Sequence, residues 1–318
     1  MRVGLIVDSA CELPYSFIKE NNIFILPVTV KVDGHTFVDD HDPLTTRRFY
    51  DSGAMQLGHQ ATTEAYTVDQ IYNLFMDEIV NQYDFAFLET IAEDRSEIYQ
   101  NAIGAMHRII ASYRPHRQAA GLSGKFSMRV VNSKTFFSGQ GLLAAHTVHL
   151  INQGTGKNQL REQVSDFTQH IYGCAIPRDL EYIRRRGRPR GDKSVSAIQA
   201  FLAKHLKITP LLWGAGSGEG GGAVFRGRSF EAAVERMIDY ACARIRRGLL
   251  SPYVVFSAGM EEHEMYELPG FDRLLQTCKE HGVTLLASPA NITSNIYVGP
   301  GGAGLALAAE PHRFQDMR

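Results

Sequence analysis

The sequence predicts an α/β protein of two domains, the first built on a mostly parallel sheet. Three observations carry this. The chain has 318 residues, long for a single hydrophobic core. Its first half alternates short apolar runs with stretches of helical periodicity, the rhythm of a parallel sheet covered on both faces. The first apolar run, residues 3–7, stops on Asp8 and Ser9, as a buried parallel strand does where its carboxyl end meets a ligand crevice.

Taken in order, strands are expected at 3–7, 23–32, 84–91 and 129–132. Between the last three lie two helical patterns. Val68, Ile71, Phe75, Ile79 and Val80 share one face, as do Ile98, Ala102, Ala105, Met106, Ile109 and Ile110. A helix over 140–150 closes the first domain. The polar, glycine-containing stretch 152–157 then reads as a linker, which places the domains at 1–155 and 156–318. The second half has a different rhythm: a strand at 171–176, helices at 179–185 and 195–206, and strands at 208–213 and 223–227. A long helix over 229–248 follows, with Ser229 as its N-cap and Gly248 as its stop. A strand at 253–257, a helix at 271–281 and strands at 284–287, 296–298 and 305–308 complete the chain.

Composition is that of an ordinary soluble protein, 44% hydrophobic and 21% charged. The apolar runs fall well short of the ~20 residues of a membrane span, and Met1-Arg2-Val3 enters a strand without a signal pattern. Cys11, Cys174, Cys242 and Cys278 have neither metal-ligand spacing nor a disulfide framework, so a cytoplasmic location is expected. A net charge of −1 argues against nucleic acid as the main partner.

Several motifs invite a functional reading. Residues 214–222 contain a formal G-x-G-x-x-G, but the next residues are strand-like where a phosphate loop needs a helix, so a hairpin turn is expected. A second match at 299–304 also lacks its helix, so no nucleotide cofactor is expected. His35, Asp39, Asp40, His41 and Asp42 cluster in sequence; Pro43 and their spacing suggest a solvated loop rather than a metal site. Arg184, Arg185, Arg186, Arg188 and Arg190 form a cationic run that is either a solvated helix end or a patch for an acidic partner. No G-x-S-x-G elbow or Cys–His pairing announces a nucleophile, which favours a binding protein.

One family accounts for these segments together. Val7-Asp8-Ser9-Ala10-Cys11-Glu12-Leu13-Pro14 comes first, followed by Asp33-Gly34 through Asp39 to Phe49-Tyr50. Then come Val130-Val131-Asn132-Ser133-Lys134 with Ser138-Gly139-Gln140-Gly141, and Leu180-Glu181-Tyr182-Ile183 running into Gly187-Arg188. Ile208-Thr209-Pro210-Leu211-Leu212 and Gly299-Pro300-Gly301 complete the series. In this order they resemble the DegV family of bacterial lipid-binding proteins. The resemblance implies two domains, the second a smaller mixed α/β sheet domain, holding a fatty acid between them. It also implies a carrier without catalytic residues, able to present the acyl chain to a separate ATP-binding kinase subunit.

The resemblance further implies a head-group site of hydroxyls, a histidine and an arginine. The family's threonine falls on Thr63, with Thr62 one residue away as the alternative; its arginine falls on Arg188. Its serine pair falls on Ala92 and Glu93, and its histidine on Tyr297. Thr90, Ser9 and Ser133 stand at adjoining strand ends. Glu93 is the sharp departure: a carboxylate ~4 Å from a fatty carboxylate meets ~4 kcal/mol of repulsion at an effective dielectric near 20. Protonation, pairing with Arg188 or an outward orientation would each relieve it. The rival reading is a subunit or enzyme acting on a small polar metabolite, related to the substrate subunit of dihydroxyacetone kinase, for which a glutamate-containing pocket is suited.

Overall fold

The computed structural model describes residues 1–54, 61–179, 182, 209–216, 220–224 and 229–312, with backbone alone at 210, 212, 213 and 220–224. Strands β1 (Val3–Asp8), β2 (Phe24–Leu26), β6 (Phe85–Thr90) and β7 (Ser127–Asn132) form a parallel sheet in the order β2-β1-β6-β7. The order reverses beside β1, so the gap between β1 and β6 is the switch point where open α/β sheets place their ligands. β1 and β6 are almost wholly buried, which is why they read as continuous apolar runs.

The strand expected at 23–32 is two strands. Pro27 has no N–H to continue a ladder, and the chain leaves the parallel sheet there. It enters a second, antiparallel sheet of β4 (His35–Asp39), β3 (Val28–Val32) and β5 (Ala61–Glu64), in that order. Asp33 and Gly34 turn β3 into β4 with φ of 44° and 83°, the left-handed pair that a two-residue hairpin demands.

Six strands make the third sheet, in the order β10 (Gly220–Val224), β9 (Pro210–Ala215), β8 (Ile171–Ile176), β13 (Ala303–Ala308), β11 (Tyr253–Ala258), β12 (Thr284–Pro289). β9 and β10 are antiparallel, with Gly220 opposite Gly214; the residues between them, 217–219, on which the expected hairpin turn falls, lie outside the described residues. Helix α7 (Phe230–Arg247) packs its apolar stripe on this sheet. It starts where Ser229 Oγ accepts from Ala232 N at 3.2 Å and ends at Gly248, whose φ of 95° few other residues adopt.

Helix α5 (Ser138–Asn152) is buried almost all round. One face meets Leu5, Val7 and Phe87 of the parallel sheet; the other meets Val255, Ala306 and Ala308 of the six-stranded sheet. It therefore lies between the sheets, rather than closing the first. Gly141 lets it approach the turn after β1: a Cβ there would stand 1.9 Å from the Glu12 carbonyl oxygen. Sequence reading missed α6 (Lys157–Phe167), whose buried Leu160, Val164 and Phe167 are spaced too sparsely among polar residues to stand out. The strand expected at 296–298 is instead part of helix α10 (Ile292–Val298), started by Asn291, whose Oδ1 accepts from Ser294 N at 2.8 Å. The expected helices at 179–185 and 195–206 lie outside the described residues apart from Asp179 and Tyr182. Among the described residues no helix is long and apolar enough to cross a membrane.

Candidate functional site

The carboxyl edge of the parallel sheet brings together the strand ends singled out in the sequence. Asp8 is fully buried at the switch point; its Oδ2 accepts from Ile91 N at 2.7 Å and its Oδ1 from Ala10 N at 2.9 Å. Burial pushes its carboxyl up to about 6, against these hydrogen bonds. Ser9, Thr90 and Ser133 are buried beside it, but their hydroxyls serve the local backbone. Ser9 Oγ accepts from Val28 N at 2.8 Å and donates to the Asp39 carbonyl; Thr90 Oγ1 donates to Ile91 O at 3.1 Å and Ser133 Oγ to Thr135 O at 3.2 Å. These three side chains hold the edge in shape.

Thr63 and Tyr297 come from elements 234 positions apart and meet hydroxyl to hydroxyl at 2.8 Å. β5 pairs with β3 through Thr63 opposite Val30 and Thr62 opposite Lys31, so the two threonines face opposite ways. Thr62 is exposed and Thr63 half-buried. Tyr297 stands in the last turn of α10, its ring stacked on Phe137 at 6.3 Å and 24°. Phe137 caps the start of α5 at φ 48° and ψ −113°. A bulky residue at such a φ costs about 1–3 kcal/mol, so surrounding packing must hold it there. Phe137 also walls a small, mainly apolar cavity with Cys174, Val298, Ser294, Asn295 and the start of β13; it encloses about 10 Å³, the room of roughly one water.

The first turn of α10 is held by a buried polar cluster. Glu12 accepts from Asn291 N at 3.1 Å and from the Ser294 hydroxyl, and Asp39 Oδ2 accepts from Thr293 N at 2.7 Å. Burial raises both carboxyls above their ordinary range. His41, at φ 64°, sets Nε2 3.1 Å from Ser9 O and 3.2 Å from Asn291 Nδ2. The 35–42 segment is thus only partly a solvated loop: Asp39 and His41 turn inward, while Asp42 N-caps helix α2 (Pro43–Asp51). Among the described residues no group of histidines, cysteines and acids is arranged to hold a metal.

With this geometry in view, comparison with known proteins gives a consistent result. The family model described as an uncharacterised protein of the DegV family matches residues 2–310. The chain belongs to the DegV family. A DegV domain-containing protein of Xanthomonas campestris pv. campestris is 38% identical over 99% of both chains. One from Caldanaerobacter subterraneus is 23% identical over 66% of this chain and 67% of its own. Among solved structures, a stearic-acid-binding protein of Eubacterium ventriosum superposes with a TM-score of 0.74 at 20% identity, over 96% of this chain and 98% of its own. DegV of Bacillus subtilis, a fatty-acid-binding protein, superposes with 0.72 at 16% identity, over 98% and 100%. These likenesses establish the two-domain α/β DegV fold.

Against that fold, two of the DegV-derived site residues need comment. Glu93 is exposed, its Oε2 3.5 Å from Gln100 Nε2, so of the three ways to relieve repulsion the chain takes the outward orientation. Ala92 before it is buried, with its N donating to Thr135 O at 3.0 Å, and this fixes the turn that sends Glu93 outward. If this chain takes the ligand that the resemblance implies, Glu93→Ser is therefore expected to change fatty-acid affinity by no more than roughly twofold, the scale of a surface substitution. A tenfold change in calorimetric titration with palmitate would put the carboxylate back at the head group. Arg188, with the 184–190 run, lies outside the described residues.

Sequence reading passed over Phe137, Glu12 and Asn291. Asn291 had a readable signal, a cap residue ahead of an apolar stretch. The roles of Glu12 and Phe137 depend on partners 279 and 160 positions away, and no local pattern encodes those.

Proposed function

We propose that this chain binds a fatty acid or a closely related lipid, with the hydroxyls of Thr63 and Tyr297 at the head group. The observation that carries the reading is their 2.8 Å meeting, with Tyr297 stacked on Phe137, a residue that walls a small, mainly apolar cavity. Two hydroxyls supply two donors and retain acceptor capacity, so together they suit a carboxylate or a neutral ester or acid head. The surrounding Phe137, Val298 and Ala175 suit a hydrocarbon chain. An acyl chain of many carbons exceeds the present cavity, so binding requires Phe137 and its neighbours to part. The fatty-acid-binding proteins of the same fold support the class of ligand. In this reading the protein is a cytoplasmic carrier with lobes near 1–155 and 156–318. It would present the acyl head to a separate kinase subunit, and Arg188 would join the head group on the strength of the family motif.

The test is to denature purified protein and identify any released small molecule by mass spectrometry. Release of fatty acid in near-stoichiometric amount is expected. A polyol or other small polar metabolite in place of lipid, with no heat on titration with palmitate, would overturn the reading in favour of a subunit of dihydroxyacetone kinase type.

A further inference from the structure

Helix α10 carries Tyr297 at one end and is gripped at the other by side chains with no assigned role. We infer that Asp39 and Glu12 are positioning residues for the lipid head group, acting through α10 on Tyr297. The inference rests on the proposed head-group site.

The helix has seven residues, too few to be stable alone, so its placement is set by what holds its ends. Its first turn offers unpaired backbone N–H groups. Asp39 takes the one from Thr293 at 2.7 Å, and Glu12 takes the one from Asn291 together with the Ser294 hydroxyl. Both carboxyls are at least 99% buried, so water does not substitute for them. Tyr50 adds a third hold, accepting from Asn295 Nδ2 and donating to Ala290 O at 2.7 Å.

The other end is held by the same sheet. Asp39 ends β4 and Thr63 lies in β5, and these strands flank β3. Thr293, held by Asp39, and Tyr297, met by Thr63, stand four residues apart on the helix, a rise of about 6 Å. The helix therefore packs on β3 between two holds on the flanking strands, with Asp39 fixing its start and Thr63 meeting Tyr297 near its close. Val30 of β3, Ile292 and Ile296 fill the apolar contact between them. A shift at the capped end moves the Tyr297 hydroxyl by a similar distance, because a helix this short does not bend.

A double-mutant cycle tests this, using the full-length protein and palmitate titration by calorimetry. Asp39→Ala is expected to weaken palmitate binding about tenfold, close to the effect of losing one cap hydrogen bond. Asp39→Asn keeps an acceptor for Thr293 N and is expected to restore affinity to within roughly threefold. In a Tyr297→Phe background the loss from Asp39→Ala should shrink to less than about twofold, because the group being positioned is gone. If Asp39→Ala fails to fold, Ser294→Ala carries the same cycle, since it removes the hydroxyl held by Glu12. An equal loss in both backgrounds, or no loss in the folded variants, would overturn the positioning role. Palmitate affinity unchanged by Tyr297→Phe and Thr63→Val themselves would instead sink the head-group reading, a result the single variants show before the cycle is built.

Discussion

On the proposed head-group reading, replacing Thr63 by valine and Tyr297 by phenylalanine together is expected to weaken fatty-acid binding by about 100-fold or more, with the fold intact. A hydrogen bond to a charged group contributes about 1.5–3 kcal/mol, and a carboxylate between these two hydroxyls accepts two such bonds. The double variant is the cleaner experiment because the two groups also bond to each other at 2.8 Å. Removing both at once also removes the bond between them, which a single variant would break on one side only. Both substitutions keep the shape of the side chain, so the stack on Phe137 survives and circular dichroism should match the parent. Calorimetric titration with palmitate measures the effect. Affinity within twofold of the parent would mean that the head group binds elsewhere.

A second large effect is expected on stability, from a buried carboxyl group on β6. Glu89 is fully buried in the middle of the parallel sheet; its Oε1 accepts from Thr147 Oγ1 at 2.6 Å, and its Oε2 has no partner among the described residues. Burial drives its carboxyl from the ordinary 4.5 up to about 8, against the Thr147 hydrogen bond. The folded protein therefore holds this proton more tightly than the unfolded chain. Below pH 4.5 both states are protonated and Glu89 takes nothing from stability. Between 4.5 and 8 the unfolded chain releases the proton first, and stability falls by about 1.4 kcal/mol per pH unit from this group. Glu89→Gln, which cannot ionise, should thus gain on the parent as pH rises, by up to on the order of 4 kcal/mol at pH 8. Urea unfolding of both proteins at pH 5 and pH 8 measures it. An advantage that does not grow with pH would mean that Glu89 is ionised and paired. Asp8, raised by burial to about 6, adds a pH dependence of the same sign to both proteins and cancels in the comparison.

Much of the frame was legible because its signals are local. Residues 3–7, 84–91 and 129–132 are apolar runs that only a doubly covered sheet can bury, and they became β1, β6 and β7 at the central positions and edge of one sheet. Ser229 and Gly248 bracket α7 because cap chemistry is written in single residues. Where local signals compete, reading fell short. Pro27 divides an apolar run that has no other break, and residues 296–298, β-branched and aromatic, have the composition of a strand. Tertiary contacts decided the second case, since Glu12 and Asp39 supply the carboxyl groups that make a short helix start there.

The same division runs through the site. By itself the sequence determined the family, through collinear short motifs. Only the tertiary structure decided which of two adjacent threonines faces inward, because a strand's period of two hides the face until its partner strand is known. It alone turned Glu93 outward, through a backbone bond between Ala92 and Thr135, and joined Thr63 to Tyr297 across 234 positions. Orientation and long-range pairing depend on where distant backbone arrives, and a residue's own neighbours in the chain carry no record of that.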